Sequence, residues 1–475
     1  MKAISRFLCL TVLGLLAGNG GYALTKQLHV QTAGTLPLLI QEAEQYEITA
    51  LTLTGTLNGT DLRYLRHLAG GDDKGGYTPG KLTVADLGGT RIVAGGEAVY
   101  DGWRAKTDTL PGFLFYGTKV ERIVLPAGVW MIERGAFCAC HQLTSVTLPQ
   151  TLQTIGRDAF ASCSSLTTIQ LPENLKTIEQ GAFGGCEQLN NLWFPEGLRT
   201  IGYQAFHSCL ALTSATLPST LTQLGIYAFN GCTALKSVVI PAGITKLDRA
   251  TFQSCTALTN VSLPATLDTL GVYCFAGCTA LASIQLPAQL TTMEWGAFAS
   301  CIGLLSITLP EKLDTIPYKA FAACIRLQTV TLPDGLKAVK SYAFDGCGNI
   351  ERINLKGCTP PDLDMTAFDN NIHSYSILEV PYGCAETYRN HPVWGKFTKL
   401  SENIPTHVTT PVTDQPEVTL NENNLTVQTA PGQAIRVYTT DGRLLHHTTG
   451  TLQATLQAGI YVIRTGQWTR RVAVR

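Results

Sequence analysis

Apolar residues fall on a fixed grid through the middle of the chain. From Pro149 to Leu171 the order is Pro149, Leu152, Ile155, Ala159-Phe160, Cys163, Leu166, Ile169 and Leu171, and it returns nearly unbroken from Pro264 to Leu286. Ten cysteines mark the register at 23-residue intervals: Cys140, Cys163, Cys186, Cys209, Cys232, Cys255, Cys278, Cys301, Cys324 and Cys347. Phe stands three residues before each (Phe137 to Phe344), Leu or Ile three after (Leu143 to Ile350), and Pro nine after all but the last (Pro149 to Pro333). A fixed period without insertions makes each unit one coil of a solenoid, which grows linearly and escapes the size limit of a single globular core.

Each coil predicts one strand. Leu143-Thr-Ser-Val146-Thr-Leu148 alternates with period two and then meets Pro149, which has no N–H to give to a ladder. The expected strand is Ser145 to Leu148 with its equivalents, with Val146 and Leu148 inward and Ser145 and Thr147 outward. Leu152, Ile155, Ala159 and Phe160 follow at spacings of three and four, which suits a short helical or extended return arm packing back on the sheet.

The first residues set the compartment. Lys2 and Arg6 precede an apolar run from Phe7 to Ala17, and small residues lead to Ala23, the pattern of a secretory signal peptide with cleavage expected after Ala23. No other stretch reaches 18 apolar residues, so no membrane-spanning segment is expected in the mature chain. Fourteen cysteines would then face an oxidising compartment, where a disulfide framework is the usual reading. The period argues against it, because stacked coils hold equivalent side chains about 4.8 Å apart whereas a disulfide wants β-carbons about 3.8 Å apart. The ten periodic cysteines are expected as a buried ladder of free thiols.

Ten units agreeing at Leu, Ile, Ala-Phe, Cys and Pro resemble the bacterial leucine-rich repeats of the BspA type, also called the Treponema-type repeat. The resemblance runs from Leu82 to about Leu400. Leu51 to Leu68 looks like the amino-terminal cap of such proteins, a strand and a short helix, and Leu82 to Leu87 and Val120 to Leu125 look like degenerate first coils, giving about twelve in all. Cys358-Thr-Pro-Pro, Leu378-Glu-Val-Pro-Tyr and Trp394-Gly-Lys-Phe resemble the closing coil. The implied fold class is a leucine-rich repeat solenoid with a parallel sheet on one face, followed by a small antiparallel β-sandwich.

For that second domain, residues 401–417 are rich in Pro and Thr and read as a linker. Leu425 to Gln428, Ala434 to Tyr438 and Leu456 to Arg464 alternate like strands around a turn signal at Thr440 to Arg443. Asp441-Gly442-Arg443, Gly459-Ile-Tyr461 and the basic, valine-rich end from Arg470 to Arg475 resemble the carboxy-terminal sorting domain of the type IX secretion system of Bacteroidetes. That resemblance implies export through the type IX machinery by way of residues 418–475, removal by a sortase-like enzyme and attachment at the surface through anionic lipopolysaccharide. The expected organisation is thus signal peptide 1–23, cap 24–81, solenoid 82–400 (regular repeats 126–355, closing coil 356–400), linker 401–417 and sorting domain 418–475.

Little in the sequence points to chemistry. Lys and Arg total 35 against 35 Asp and Glu, and charged residues are only 15% of the chain, so no broad cationic surface suggests nucleic acid. Cys138-Ala-Cys140-His141 is the nearest thing to a metal motif, but Cys140 belongs to the ladder and the second ligand pair of a closed zinc site is missing. Asp72-Asp73 reads as a solvated loop and His207 as an exposed turn residue; Cys274 replaces the alanine of an Ala-Phe pair. No hydrolase or metalloprotease signature occurs. The expectation is a non-enzymatic protein with no catalytic residues, metal or cofactor. Cys358 and Cys384 flank the last coil, as a candidate disulfide stapling the open end or as two separate thiols.

Binding surfaces are the remaining candidates. One outward column runs through Asn191 and Ser214; the other holds Gln170, Trp193, Thr216, Val239, Ser262 and Gln285. It is a hydroxyl and amide surface with almost no charge, offering hydrogen bonds to a protein strand or a glycan. Trp193 is the exception in size, either an interface hot spot or a shielded structural residue. Just before the Ala-Phe pair recur Tyr203, Tyr227, Tyr273, Trp295, Tyr318 and Tyr342, either an aromatic ridge for protein contact or packing between coils. Resemblance to BspA-type and internalin-like proteins implies a surface-displayed or secreted adhesin for host matrix proteins, host cells or other bacteria, with a part in biofilm formation. A self-associating structural component and a glycan-binding protein are the rival readings.

Overall fold

The protein is described from a computed structural model. It covers residues 23–369 and 371–404 and, toward the carboxy terminus, 417–421, 424–428, 434–439, 443–449, 451–465 and 468–474. The expected signal segment up to residue 22, most of the expected linker and the Asp441-Gly442 pair lie outside these residues. The chain forms two compact units that divide between residues 406 and 407. Among the described residues no helix is long and apolar enough to cross a membrane.

The first unit is a parallel solenoid. It opens with β1 (Leu24–Val30), α1 (Leu36–Leu39), β2 (Ile48–Leu57), α2 (Gly59–Leu68) and β3 (Val84–Ile92), and β1, β2 and β3 start a parallel sheet that continues into the strands Arg122–Val124 and Ser145–Thr147. Buried polar groups fix this cap. The Asp61 carboxylate, fully buried, accepts from the backbone N–H of Gly34, Leu36 (2.8 Å) and Asn58 (2.9 Å) and completes a capping box at the start of α2. Arg66, also buried, donates to the carbonyls of Asp72, Phe113, Leu114 and Tyr116, so one guanidinium ties α2 to the first turn of the solenoid.

Coils then repeat in register. Arg122, Ile123 and Val124 face Ser145, Val146 and Thr147, and Ser214 to Thr216 face Ser237 to Val239, each step 23 residues. Alternation decides the faces as expected: Ser145 and Thr147 are exposed while Val146 and Leu148 are buried.

The return arm departs from the helical alternative. It is a second parallel ladder of two-residue strands, Thr154–Ile155 pairing with Thr177–Ile178 and onward, with α-helices confined to the two ends of this unit among the described residues. Left-handed backbone explains why. The residue five before each cysteine and the residue just before it both have positive φ: Asp158 (53°) and Ser162 (59°), Tyr227 (58°) and Gly231 (73°), Ala250 (54°) and Ser254 (60°). Two such residues per coil bend the chain into tight turns that no α-helix accommodates.

Two continuous stacks fill the core. Twelve phenylalanine rings, from Phe115 through Phe137 to Phe344 and Phe368, lie nearly parallel with centroids 4.9 to 5.7 Å apart. All ten periodic cysteines are buried free thiols. Each Sγ donates to the carbonyl of the phenylalanine of the preceding coil, as in Cys163 to Phe137 (3.1 Å) and Cys347 to Phe321 (3.1 Å). The far end is sealed by Trp394 and Phe397, whose rings meet Phe368 edge-on at 6.3 and 6.2 Å, and by a disulfide between Cys358 and Cys384 (Cα–Cα 5.2 Å). The strand Lys399–Ile404 pairs with Ile377–Pro381, so the first four residues of the expected linker belong to the closing coil.

The second unit is a small antiparallel β-sandwich. One sheet joins Glu417–Asn421, Asn424–Gln428 and Thr451–Thr455; the other joins Leu444–Thr449, Ala434–Thr439, Gly459–Thr465 and Trp468–Val474. Leu425, Val427, Ile435, Val437, Tyr461 and Ile463 form its core.

Candidate functional site

The outward strand positions form a real face, but not an even one. Its ladder is continuous through Ser145–Thr147, resumes over the strands beginning at Ser214, Ser237 and Asn260, and resumes again from Ser306. In the first gap a single bridge, Thr168 to Asn191, replaces it. The coil at this gap carries Phe194 at an inner position that is Leu in most coils. Its ring packs edge-on against Phe206 (5.4 Å) and Phe229 (6.3 Å). The second gap, at Ser283 to Leu286, carries ordinary inner residues, Ile284 and Leu286, both half-buried; its sequence does not explain it.

Each gap coincides with a depression. A groove of about 950 Å³ is lined by Ser145, Thr147, Thr168, Gln170, Asn191, Trp193, Ser214 and Thr216, with Gln150 and Glu173 among the residues at its margin. The Trp193 indole is 56% exposed on this face. A shallower depression of about 280 Å³ gathers Ser237, Val239, Asn260, Ser262, Ser283 and Gln285. The eight strand-face positions singled out in the sequence therefore fall into two groups, Gln170, Asn191, Trp193, Ser214 and Thr216 in one and Val239, Ser262 and Gln285 in the other.

The aromatic residues before the Ala-Phe pair meet between coils. Tyr203 and Tyr227 lie edge to face at 6.0 Å, as do Trp295 and Tyr318 (6.0 Å) and Tyr318 and Tyr342 (5.8 Å). Their alternation between two sequence positions has a backbone cause: Tyr227, Tyr273 and Tyr342 occupy the left-handed position, while Tyr203, Trp295 and Tyr318 precede it. Arg249-Ala250 stands where the next ring would be, dividing the series in two. Tyr273 lies so close over Gly296 that a β-carbon there would fall 2.2 Å from its ring, and Trp295 is 61% exposed beside it. Lys319 Nζ sits 5.2 Å from the Tyr318 ring centre, and its hydrogen bond to Tyr318 raises its pKa.

The remaining polar clusters are engaged in structure. Asp72 Oδ1 accepts from the N–H of Lys74 (2.9 Å) and Gly76 (2.6 Å), which holds its pKa below the usual carboxylate range, and Asp73 pairs with Arg63 at 2.9 Å. Cys138 is half-buried, its thiol pushed up to about 11 by burial, while His141 is exposed and 3.5 Å from Ser164 Oγ. Burial pushes Cys140 and Cys232 up to about 12, so neither is a ready thiolate nucleophile or metal ligand. Among the described residues no group of three or more His, Cys, Asp or Glu is placed to hold a metal ion. His207 is half-buried rather than exposed, with Nε2 3.1 Å from Ser208 Oγ.

Comparison with known proteins gives a consistent result for the repeats. The family model of the BspA type leucine rich repeat region matches in six copies, over residues 108–236, 199–324 and 296–381. Among solved structures, a leucine-rich repeat protein from Bacteroides ovatus is 20% identical over 82% of this chain and 97% of its own, with a TM-score of 0.45. A leucine rich cell surface protein from Faecalibacterium prausnitzii is 25% identical over 56% of this chain and 86% of its own, with a TM-score of 0.35. The T. pallidum leucine rich repeat protein is 30% identical over 36% of this chain and 69% of its own, with a TM-score of 0.27. No curated protein matches.

Proposed function

Because this chain belongs to the BspA-type leucine-rich repeat family, we propose that it is an exported, surface-displayed adhesin that binds other macromolecules through the outward face of its strand ladder. The observation that carries the reading is that face itself. Two columns of hydroxyl and amide side chains, almost free of charge, run along the stacked coils and open into a groove around the exposed Trp193. A long surface of repeated, uncharged donors and acceptors suits multivalent capture better than turnover.

Export follows the same reading. The leader is removed after Ala23, and residues 418–475 act as a type IX sorting domain that delivers the solenoid to the outer surface. Host matrix, host cells and other bacteria are the targets proposed.

The test uses the full mature chain, applied to immobilised extracellular matrix, epithelial cells and bacterial cells, beside Thr216→Arg/Ser262→Arg on the strand face and Trp295→Ala on the aromatic ridge. Saturable binding lost only in the strand-face variant is the expected result. Self-association in sedimentation, without saturable binding to any of these surfaces, would replace the adhesin by a structural surface component.

A further inference from the structure

Within the strand face, one place differs from the rest in both shape and chemistry. The groove around Trp193 is where the ladder gives way, and its volume of about 950 Å³ falls at the upper end of the range of about 300 to 1,000 Å³ typical of small-molecule sites. The second depression, at about 280 Å³, falls just short of that range.

The lining of the larger groove is selective. Trp193 presents a broad apolar face, bordered by Gln170 in the coil before, Thr216 in the coil after and Asn191 in its own coil. These side chains carry donors and acceptors without charge. Glu173, at the margin, is the one ionisable residue among those lining it. An indole flanked by uncharged amides and hydroxyls matches a ligand with one apolar face and a rim of hydroxyl groups. A polyanion finds no cation here. Polar side chains from four successive coils line the groove, so an extended chain of similar units is accommodated better than a single compact molecule.

We propose that this groove binds neutral oligosaccharide chains, with one sugar ring stacked on Trp193 and its hydroxyls held by Gln170, Asn191 and Thr216. The proposal rests on the strand-face reading above and gives that face a ligand class.

The test presents full-length mature protein to an array of neutral oligosaccharides (gluco-, manno- and N-acetylglucosamine oligomers) and to a glycosylated extracellular matrix preparation before and after enzymatic deglycosylation. Trp193→Ala, Gln170→Ala and, as a control for an exposed tryptophan elsewhere, Trp295→Ala are compared with the parent, each checked for unchanged circular dichroism. The expected result is saturable binding to at least one neutral oligomer, weakened at least tenfold by Trp193→Ala, several-fold by Gln170→Ala and not by Trp295→Ala. Matrix binding should fall with deglycosylation. Matrix binding that survives deglycosylation but is lost in Trp193→Ala overturns the glycan assignment and leaves the strand-face reading standing. Oligosaccharide binding that persists in Trp193→Ala overturns the proposed site, and no binding to any of these probes overturns both.

Discussion

The thiol ladder makes the stability of this protein depend on pH in a way that a single substitution exposes. Cys232 is fully buried, donates to the Phe206 carbonyl at 3.2 Å, and has its pKa pushed by burial from 9.0 to about 12. Phe206 O also accepts from the Cys209 N–H at 3.3 Å, so Cys232→Ala leaves no carbonyl unpaired and removes only a weak hydrogen bond and one sulfur's packing. At pH 7 that loss is expected to cost about 1 kcal/mol. Because the folded pKa lies above the unfolded one, the thiol's protonated form is favoured by folding. Its contribution is complete below pH 9 and is lost as pH rises toward 12, about 1.4 kcal/mol per unit and about 4 kcal/mol in all. Alanine does not titrate. The parent should therefore be the more stable protein at pH 7, lose that advantage as pH rises above 9, and become the less stable one at higher pH. Urea unfolding followed by circular dichroism at pH 7, 8, 9 and 10, with a phosphine reductant present throughout, measures both curves. A difference between parent and variant that stays constant from pH 7 to 10 would refute the claim that burial in the ladder sets the thiol's protonation.

The packing sets further outcomes. In native protein at pH 8, iodoacetamide should label Cys138 slowly and the ten periodic cysteines not at all, whereas in urea all should react; mass spectrometry of the peptides distinguishes the two, and rapid native labelling of any rung contradicts the structure. Phe229→Ala, in the middle of the ring stack, should lower stability by about 3 to 5 kcal/mol in the same urea assay. Ala139→Gly should raise it by about 1 kcal/mol, since Ala139 holds a φ of 58° that glycine adopts without strain. Replacing Cys358 and Cys384 together by serine should cost about 3 kcal/mol, with the loss of hydrogen-exchange protection confined to the closing coil rather than spread through the solenoid.

Sequence made the coil legible because its signals are periodic. The 23-residue interval gave the repeat, the alternation around Val146 gave the strand, and the two together assigned Trp193 to the outside and Phe160 to the core. What escaped is non-periodic or backbone-borne. The left-handed turns are occupied by Tyr227, Ala250, Lys319 and Tyr342 as well as by glycine, so residue type hides a conformation that Gly135, Gly181 and Gly296 in one column and Gly185, Gly231, Gly277 and Gly346 in the other do signal. Spacings of three and four in the return arm mimic a helix because a tightly turning coil brings its inner residues toward the core at similar intervals. Asp61 and Arg66 look like ordinary helix charges in sequence, and only tertiary structure surrounds them with backbone partners. The groove was hidden for a different reason: it lies where the strand ladder is interrupted between Thr147 and Ser214, and that interruption breaks no periodic position in the sequence.

The in-register thiol and ring stacks also bear on how such a molecule changes over generations. When each coil meets its neighbours through the same contacts, removing or adding one 23-residue unit leaves every surviving junction of a kind already present. Reach can change by gain or loss of whole coils that share the same core positions, without new packing having to be invented. The coil bearing Trp193 and Phe194 is the exception, because no other unit can substitute for it. Changing the number of coils would then alter the length of the solenoid, while the position of that one unequal unit fixes where along it the groove lies.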